Sequence, residues 1–318
     1  MTTWRRPGPV LLGVLLLAVA GCGPTAAGGD RPARPAALPS PGCAGGGGTG
    51  GDGRQHTVTL GTGAQRGTYE ITVPRRLRPG HPAALVLLFY GFASDPARFS
   101  SLTGLPARGG RAGDIVVVPH TGPGEPQWQL SGRGTDAAFV SAVIGRVERR
   151  YCVDRRAVYA AGFSAGAAFT IEYACAHPGT MAAIATVAVE FQLGCTRPLS
   201  ILAFHGTADP LVPYRNGAVG ASLPGVAVRG TELNMSDWAR LDHCRAPARR
   251  RRIGSEVERQ QWSHCAPGTT VILYTVLGGG HTWPGADPTG GVGLTTDQIS
   301  ATDLALSFFA SSVAPSGR

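Results

Sequence analysis

Residues 157–176 read Ala157-Val-Tyr-Ala-Ala-Gly-Phe-Ser-Ala-Gly-Ala-Ala-Phe-Thr-Ile-Glu-Tyr-Ala-Cys-Ala176. The first five form an unbroken apolar run, as a strand buried on both faces requires. From Ala165 onward the chain is rich in Ala, and it meets His177-Pro178-Gly179, which ends a helix. Between the two, Gly162-Phe163-Ser164-Ala165-Gly166 fits G-x-S-x-G and leaves no residues for a loop. A strand that turns so abruptly into a helix is the setting of a nucleophile elbow, with the serine exposed at the strand end. The small residues let the turn close, and the helix N-terminus favours developing negative charge. A serine at a helix start also serves as a plain N-cap. The preceding buried strand favours the nucleophile.

The rest of the chain fits around this unit. His56 to Leu60 and Tyr69 to Val73 alternate apolar with polar, as a half-exposed antiparallel pair would. Ala84 to Tyr90 and Asp114 to Pro119 are continuous apolar runs, expected of central parallel strands. Phe139, Val143, Ile144, Val147 and Tyr151 keep helical spacing between Thr135 and Tyr151. Further strands are predicted at Met181 to Val189, Leu199 to Phe204 and Val271 to Val276, with a last amphipathic helix from Thr296 to Ser312. Strands alternating with helices predict an α/β fold: a mostly parallel central sheet with helices on both faces.

A serine hydroxyl needs a base to take its proton and an acid to orient that base. In α/β-hydrolases the chain order is Ser, acid, His. Asp209, in His205-Gly206-Thr207-Ala208-Asp209-Pro210, follows one predicted strand, and His281, in Gly278-Gly279-Gly280-His281-Thr282-Trp283-Pro284, follows the next. Both positions are strand ends, where such sheets carry their catalytic loops. His205 precedes Asp209 and so breaks the order; a hydrogen bond within its own turn is its expected role. Asp237 and Asp242 are rival acids, but they fall on a predicted helix. The oxyanion hole is expected from the backbone N–H groups of Phe92, after Phe89-Tyr90-Gly91, and of Ala165. Trp283 and Trp128 are candidates to stack on substrate, with core packing as the alternative.

Taken together, Gly-Phe-Ser-Ala-Gly, His-Gly-Thr-Ala-Asp-Pro-Leu-Val-Pro-Tyr and Gly-Gly-Gly-His-Thr-Trp-Pro-Gly resemble the poly(3-hydroxybutyrate) depolymerase and feruloyl esterase family. This is a carbohydrate-esterase-family-1-like group of α/β-hydrolases, with lipoprotein forms in actinobacteria. Tyr151-Cys152-Val153-Asp154 and Asp136-Ala137-Ala138-Phe139-Val140 add to the match, which spans residues 54 to 312. The resemblance implies Ser164 as nucleophile, Asp209 as acid and His281 as base, acting on carboxylic esters of the polyhydroxyalkanoate, feruloyl or acetyl-sugar type. No cofactor and no metal are implied. The family's usual Leu-His-Gly at the oxyanion strand is here Phe89-Tyr90-Gly91. A serine peptidase on the same scaffold is the enzymatic alternative.

The N-terminal fifty residues differ in kind. Arg5 and Arg6 precede a short apolar run from Val10 to Ala20, and Val19-Ala20-Gly21-Cys22 resembles a lipobox. Residues 1–21 are therefore expected to be a lipoprotein signal peptide, with Cys22 acylated and the protein held outside the cytoplasm on the membrane, or secreted. Residues 22–53, rich in Gly, Pro, Ala and Thr, are expected to be a disordered tether, leaving 54–318 as the catalytic domain. Export suits the six remaining cysteines, an even number without any C-x-x-C pair. Cys244 and Cys265 are the most plausible disulfide; the other connectivities stay open.

All 29 basic residues among the 318 are Arg, and the formal charge is +9. The absence of Lys reads as compositional bias rather than selection for phosphate contacts, so no nucleic-acid partner is expected. Arg245 and Arg249 to Arg252 form a local cluster, read as a solvated loop or edge strand. A non-catalytic, polyanion-binding lipoprotein is the reading from a different class. Only 15% of residues are charged, which rules out a chain disordered throughout. A monomer is expected.

Overall fold

The computed structural model describes residues 1–2, 36–44, 50–61, 67–77, 80–122, 124–192, 194–219, 227–287 and 290–312. Residues 3–21 of the expected signal peptide and Cys22 lie outside them.

The sheet begins with β1 (Gln55–Leu60), β2 (Gly67–Thr72) and β3 (Ala83–Phe89), followed by α1 (Pro96–Thr103), α2 (Leu105–Ala112) and β4 (Ile115–Pro119). Next come α3 (Thr135–Arg150), β5 (Val153–Phe163), α4 (Ala165–Ala176), β6 (Ala183–Val187) and β7 (Ser200–Gly206). A two-residue pair, β8 (Gly217–Ala218) and β9 (Ala227–Val228), stands apart before α5 (Thr231–Leu241). The chain then forms β10 (Ala246–Ile253), β11 (Val257–Ser263), β12 (Val271–Val276) and α6 (Ala301–Ser311).

Ten strands make one sheet in the order β1-β2-β4-β3-β5-β6-β7-β12-β11-β10. The strands from β4 to β12 in that order run parallel, and an antiparallel hairpin closes each side. Every residue of β4, β6, β7 and β12 is buried, so both faces of the parallel block are covered, as the apolar runs required. The carboxyl ends of β5, β7 and β12 lie together, which brings Ser164, Asp209 and His281 to one edge.

The helices α1 and α2 were not anticipated, although their signals are local. Asp95 accepts the Arg98 N–H at 2.7 Å as an N-cap, Pro96 fills the first turn, and Gly104 and Gly113 end the two helices with positive φ. The arginine cluster forms the edge strand β10. Arg250 is paired with Glu232 and Glu258, each at 2.8 Å, and the remaining charges line an otherwise open sheet edge. Charged side chains there discourage further strand pairing.

The stretch expected to be a tether is partly docked. Ser40 donates its N–H to the Val153 carbonyl at 2.8 Å, Leu38 donates to the Asp154 carboxylate at 2.9 Å, and Arg155 donates back to the Leu38 carbonyl. Cys43 is bonded to Cys152. Backbone pairing with the start of β5 and a covalent cross-link thus override the low hydrophobicity of this segment. The other disulfides are Cys175–Cys195 and the anticipated Cys244–Cys265.

Candidate active site

Ser164 takes φ 53° and ψ −121°, a region that costs a non-glycine residue about 1–3 kcal/mol. The surrounding packing holds it there. Its N–H donates to the Val187 carbonyl at 2.9 Å and its carbonyl accepts from Ala168 at 3.0 Å. A Cβ on Gly162 would strike the Gly166 carbonyl and Thr170, and one on Gly166 would strike the carbonyls of Phe89 and Tyr90. The two glycines of the motif therefore let α4 press against β3 and β5. The Ser164 side chain makes no capping bond to α4, so the hydroxyl is not an N-cap.

Asp209 and His281 are joined through their loops. Thr207 donates to the Val276 carbonyl and Ala208 to that of Gly279, each at 2.8 Å, so the aspartate turn is stitched to the end of β12. His281 exchanges two backbone hydrogen bonds with Val292, at 2.7 and 3.1 Å. Its Nδ1 lies 2.7 Å from Asp209 Oδ2, and its ring packs on Phe163 with centroids 4.8 Å apart, immediately before Ser164. The other Asp209 oxygen accepts the N–H groups of Leu211 and Val212 at 2.8 and 2.9 Å. Burial opposes ionisation of this carboxyl, but hydrogen bonds from His205 and His281 and the Val212 N–H outweigh it and hold its pKa well below the usual range. Asp209 is thus an ionised acceptor fixing the imidazole. Among the described residues Ser164 and His281 share no direct hydrogen bond, a looseness common where no substrate is bound.

The backbone beside the serine suits an oxyanion. A Cβ on Gly91 would lie 3.4 Å from that of Ser164, so the turn leading to Phe92 runs against the Ser164 side chain. The N–H groups of Phe92 and Ala165 have no acceptor among the described residues. Tyr90, standing where the related motif has His, is latched to the neighbouring loop. Its hydroxyl accepts the Thr121 N–H at 2.8 Å and its carbonyl accepts Trp128 Nε1 at 2.9 Å.

Two expectations are corrected. Trp128 is 1% exposed, stacked on Phe169 and edge-on to Phe89. Trp283 is 2% exposed, with its Nε1 donating to Thr302 at 3.0 Å. Both are core residues, and neither offers a face to substrate. The exposed apolar side chains beside the site are instead Phe92 and Val292, at 48% and 49%.

His205 is not confined to its own turn. It is buried between Glu190 and Asp209, with Nδ1 2.8 Å from Glu190 Oε2 and Nε2 3.5 Å from Asp209 Oδ2. Glu190 was missed by sequence reasoning. Its signal is a carboxylate directly after the apolar run that becomes β6.

No family model matches the sequence. A putative esterase, NocK of Nocardia uniformis subsp. tsuyamanensis, is 30% identical over 261 residues, covering 73% of this chain and 75% of that protein. The chain belongs to the feruloyl-esterase-like family of carboxylic ester hydrolases. Within this esterase family, feruloyl esterase D of Neurospora crassa is 28% identical over 271 residues, which is 81% of this chain and 87% of its own length. Among solved structures, an acetyl xylan esterase from Aspergillus awamori superposes with a TM-score of 0.58 at 15% identity, covering 82% of this chain and all of that one. That likeness carries the α/β-hydrolase fold.

Proposed function

We propose that this esterase works through an acyl-enzyme on Ser164, with His281 as general base and Asp209 as its orienting acid. The observation that carries the reading is the pairing of a strained, uncapped serine with an Asp209–His281 couple packed on the preceding residue. His281 takes the Ser164 proton as the hydroxyl attacks the ester carbonyl, and the N–H groups of Phe92 and Ala165 receive the oxyanion. His281 then returns the proton to the leaving alcohol. Water, activated by the same imidazole, releases the acid and frees the serine.

The substrate is an ester of the feruloyl, acetyl-sugar or short polyhydroxyalkanoate type. Phe92 and Val292, each beside a reacting group, favour an acyl portion with apolar surface. The protein acts outside the cytoplasm, held by lipid on Cys22 after removal of residues 1–21. Its three disulfides fit an oxidising compartment.

The test is Ser164→Ala. Hydrolysis of p-nitrophenyl acetate should fall by about four orders of magnitude or more, and labelling by a fluorophosphonate should be lost. A Ser164→Ala protein that keeps full activity breaks the reading. Feruloyl, acetyl-xylose and 3-hydroxybutyrate esters, assayed side by side, rank the substrate classes.

A further inference from the structure

We propose that Glu190 and His205 are positioning residues for Asp209, extending the Ser164–His281–Asp209 relay inward as a buried carboxylate–imidazolium pair. The inference rests on the serine reading above and adds two residues that no base or nucleophile role accounts for.

Hydrogen-bond logic fixes the charge of the ring. His205 Nδ1 faces Glu190 Oε2 at 2.8 Å, and Nε2 faces the Val212 carbonyl at 2.9 Å. The Val212 carbonyl only accepts, and although burial raises the Glu190 pKa, the His205 charge and hydrogen bonds from His205, Asn234 and Thr231 outweigh it, so Glu190 accepts as a carboxylate. A neutral imidazole carries one N–H and would point a lone pair at the other oxygen. The imidazolium donates on both sides. The Thr231 hydroxyl, 3.0 Å from Nδ1, and the Tyr214 ring, edge-on at 5.6 Å, complete the hole.

The titratable groups facing His205 are Glu190 from the end of β6, Asp209 on the turn after β7, and Tyr214 beyond that turn. Burial disfavours the cation, but the Glu190 charge and the hydrogen bonds the ring donates to Asp209, Glu190 and the Val212 carbonyl outweigh it and push the pKa up to about 10. Glu190 is itself held in place. Asn234 donates to its Oε1 at 3.1 Å, and Trp238 Nε1 donates to its carbonyl at 2.7 Å.

The pair acts on the acid in two ways. His205 holds the Val212 carbonyl, and the Val212 N–H in turn holds Asp209 Oδ1, so the turn presenting the acid is closed from behind. The cation also stands 3.5 Å from Oδ2, the oxygen that faces His281. Positive charge there offsets part of the Asp209 charge that His281 faces, and its loss leaves that charge uncompensated.

Glu190→Gln separates charge from shape. The Gln amide can donate to Nδ1, leaving a neutral ring that still donates from Nε2 to Val212. The acid limb of kcat/KM on p-nitrophenyl acetate should move up by roughly half to one pH unit, with KM on the plateau within about twofold of the parent. Glu190→Asp, which keeps the carboxylate, should return the limb most of the way. An unmoved limb in folded Glu190→Gln overturns the proposal.

A measurement on the unaltered protein covers the case in which Glu190→Gln fails to fold. With 15N-labelled histidine, one of the eight imidazoles should remain doubly protonated at pH 8. Finding all eight neutral at that pH overturns the proposal. The NMR result does not depend on Ser164, so failure of the serine reading and failure of this one are separable.

Discussion

Asp209 and Asp242 are both buried, at 8% and 0% exposure, and both were rivals for the catalytic acid. Their surroundings drive them in opposite directions. Asp209 is met by two backbone N–H groups, His281 and the His205 cation, and stays ionised. Asp242 closes α5, where one oxygen accepts the Leu199 N–H at 2.8 Å and no cation among the described residues is paired with it. Burial therefore pushes its pKa up to about 7, against the hydrogen bonds it accepts. Depth in the fold is common to the two; donors and positive charge are not. In the proposed triad the acid is Asp209 rather than Asp242 because only its neighbours are arranged for the anion.

Asp209→Asn should break the comparison most severely. The amide keeps the shape but favours the wrong imidazole tautomer, and kcat should fall by about 10³–10⁴ without loss of fold by circular dichroism. Asp242→Asn in the same assay should stay within about twofold of the parent. If the two variants lost equal activity, Asp209 would hold no special place.

The next effect concerns stability. Asp242 has a raised pKa in the folded protein, so its contribution is fully present below about pH 4 and is lost as pH rises through about 7. Asp242→Asn removes that dependence. It should melt about 2–4 °C above the parent at pH 8, and the gap should narrow toward pH 5; a constant gap would show that ionisation is not its source.

The smallest effect is at Asp237, the third rival. It pairs with Arg229 and with Arg240 at 2.6 Å, and the two arginines are 60% and 77% exposed. Such pairs contribute little and are screened by salt. Asp237→Asn should shift the melting temperature by no more than about 1 °C, measurable by calorimetry in low salt.

The elements legible from sequence were those with strong local patterns. The apolar runs at Ala84 to Tyr90 and Leu199 to Phe204 could be little but buried strands, and G-x-S-x-G between strand and helix marked the turn now seen at Ser164. Asp209 and His281 could be placed because both end such strands. Tertiary contacts were not legible. Trp128 and Trp283 lie in loop-like sequence, yet they fill the core because α4 and α6 close over them. Glu190 reads as one acid after an apolar run, and only folding sets His205 against it. The stretch around Cys43 has the composition of a tether, and its docking depends on a partner strand more than a hundred residues away.

That docking would shorten any tether running from Cys22. From Cys22 to Ala36, the first residue of the docked segment, fourteen residues span at most about 50 Å, whereas a tether running to residue 53 would reach about twice as far. Arg156 holds the Ala36 carbonyl at 2.7 Å near the beginning of β5, and Ser164 follows the last residue of that strand, about 26 Å farther along. The entering segment and Ser164 therefore stand at opposite ends of one strand.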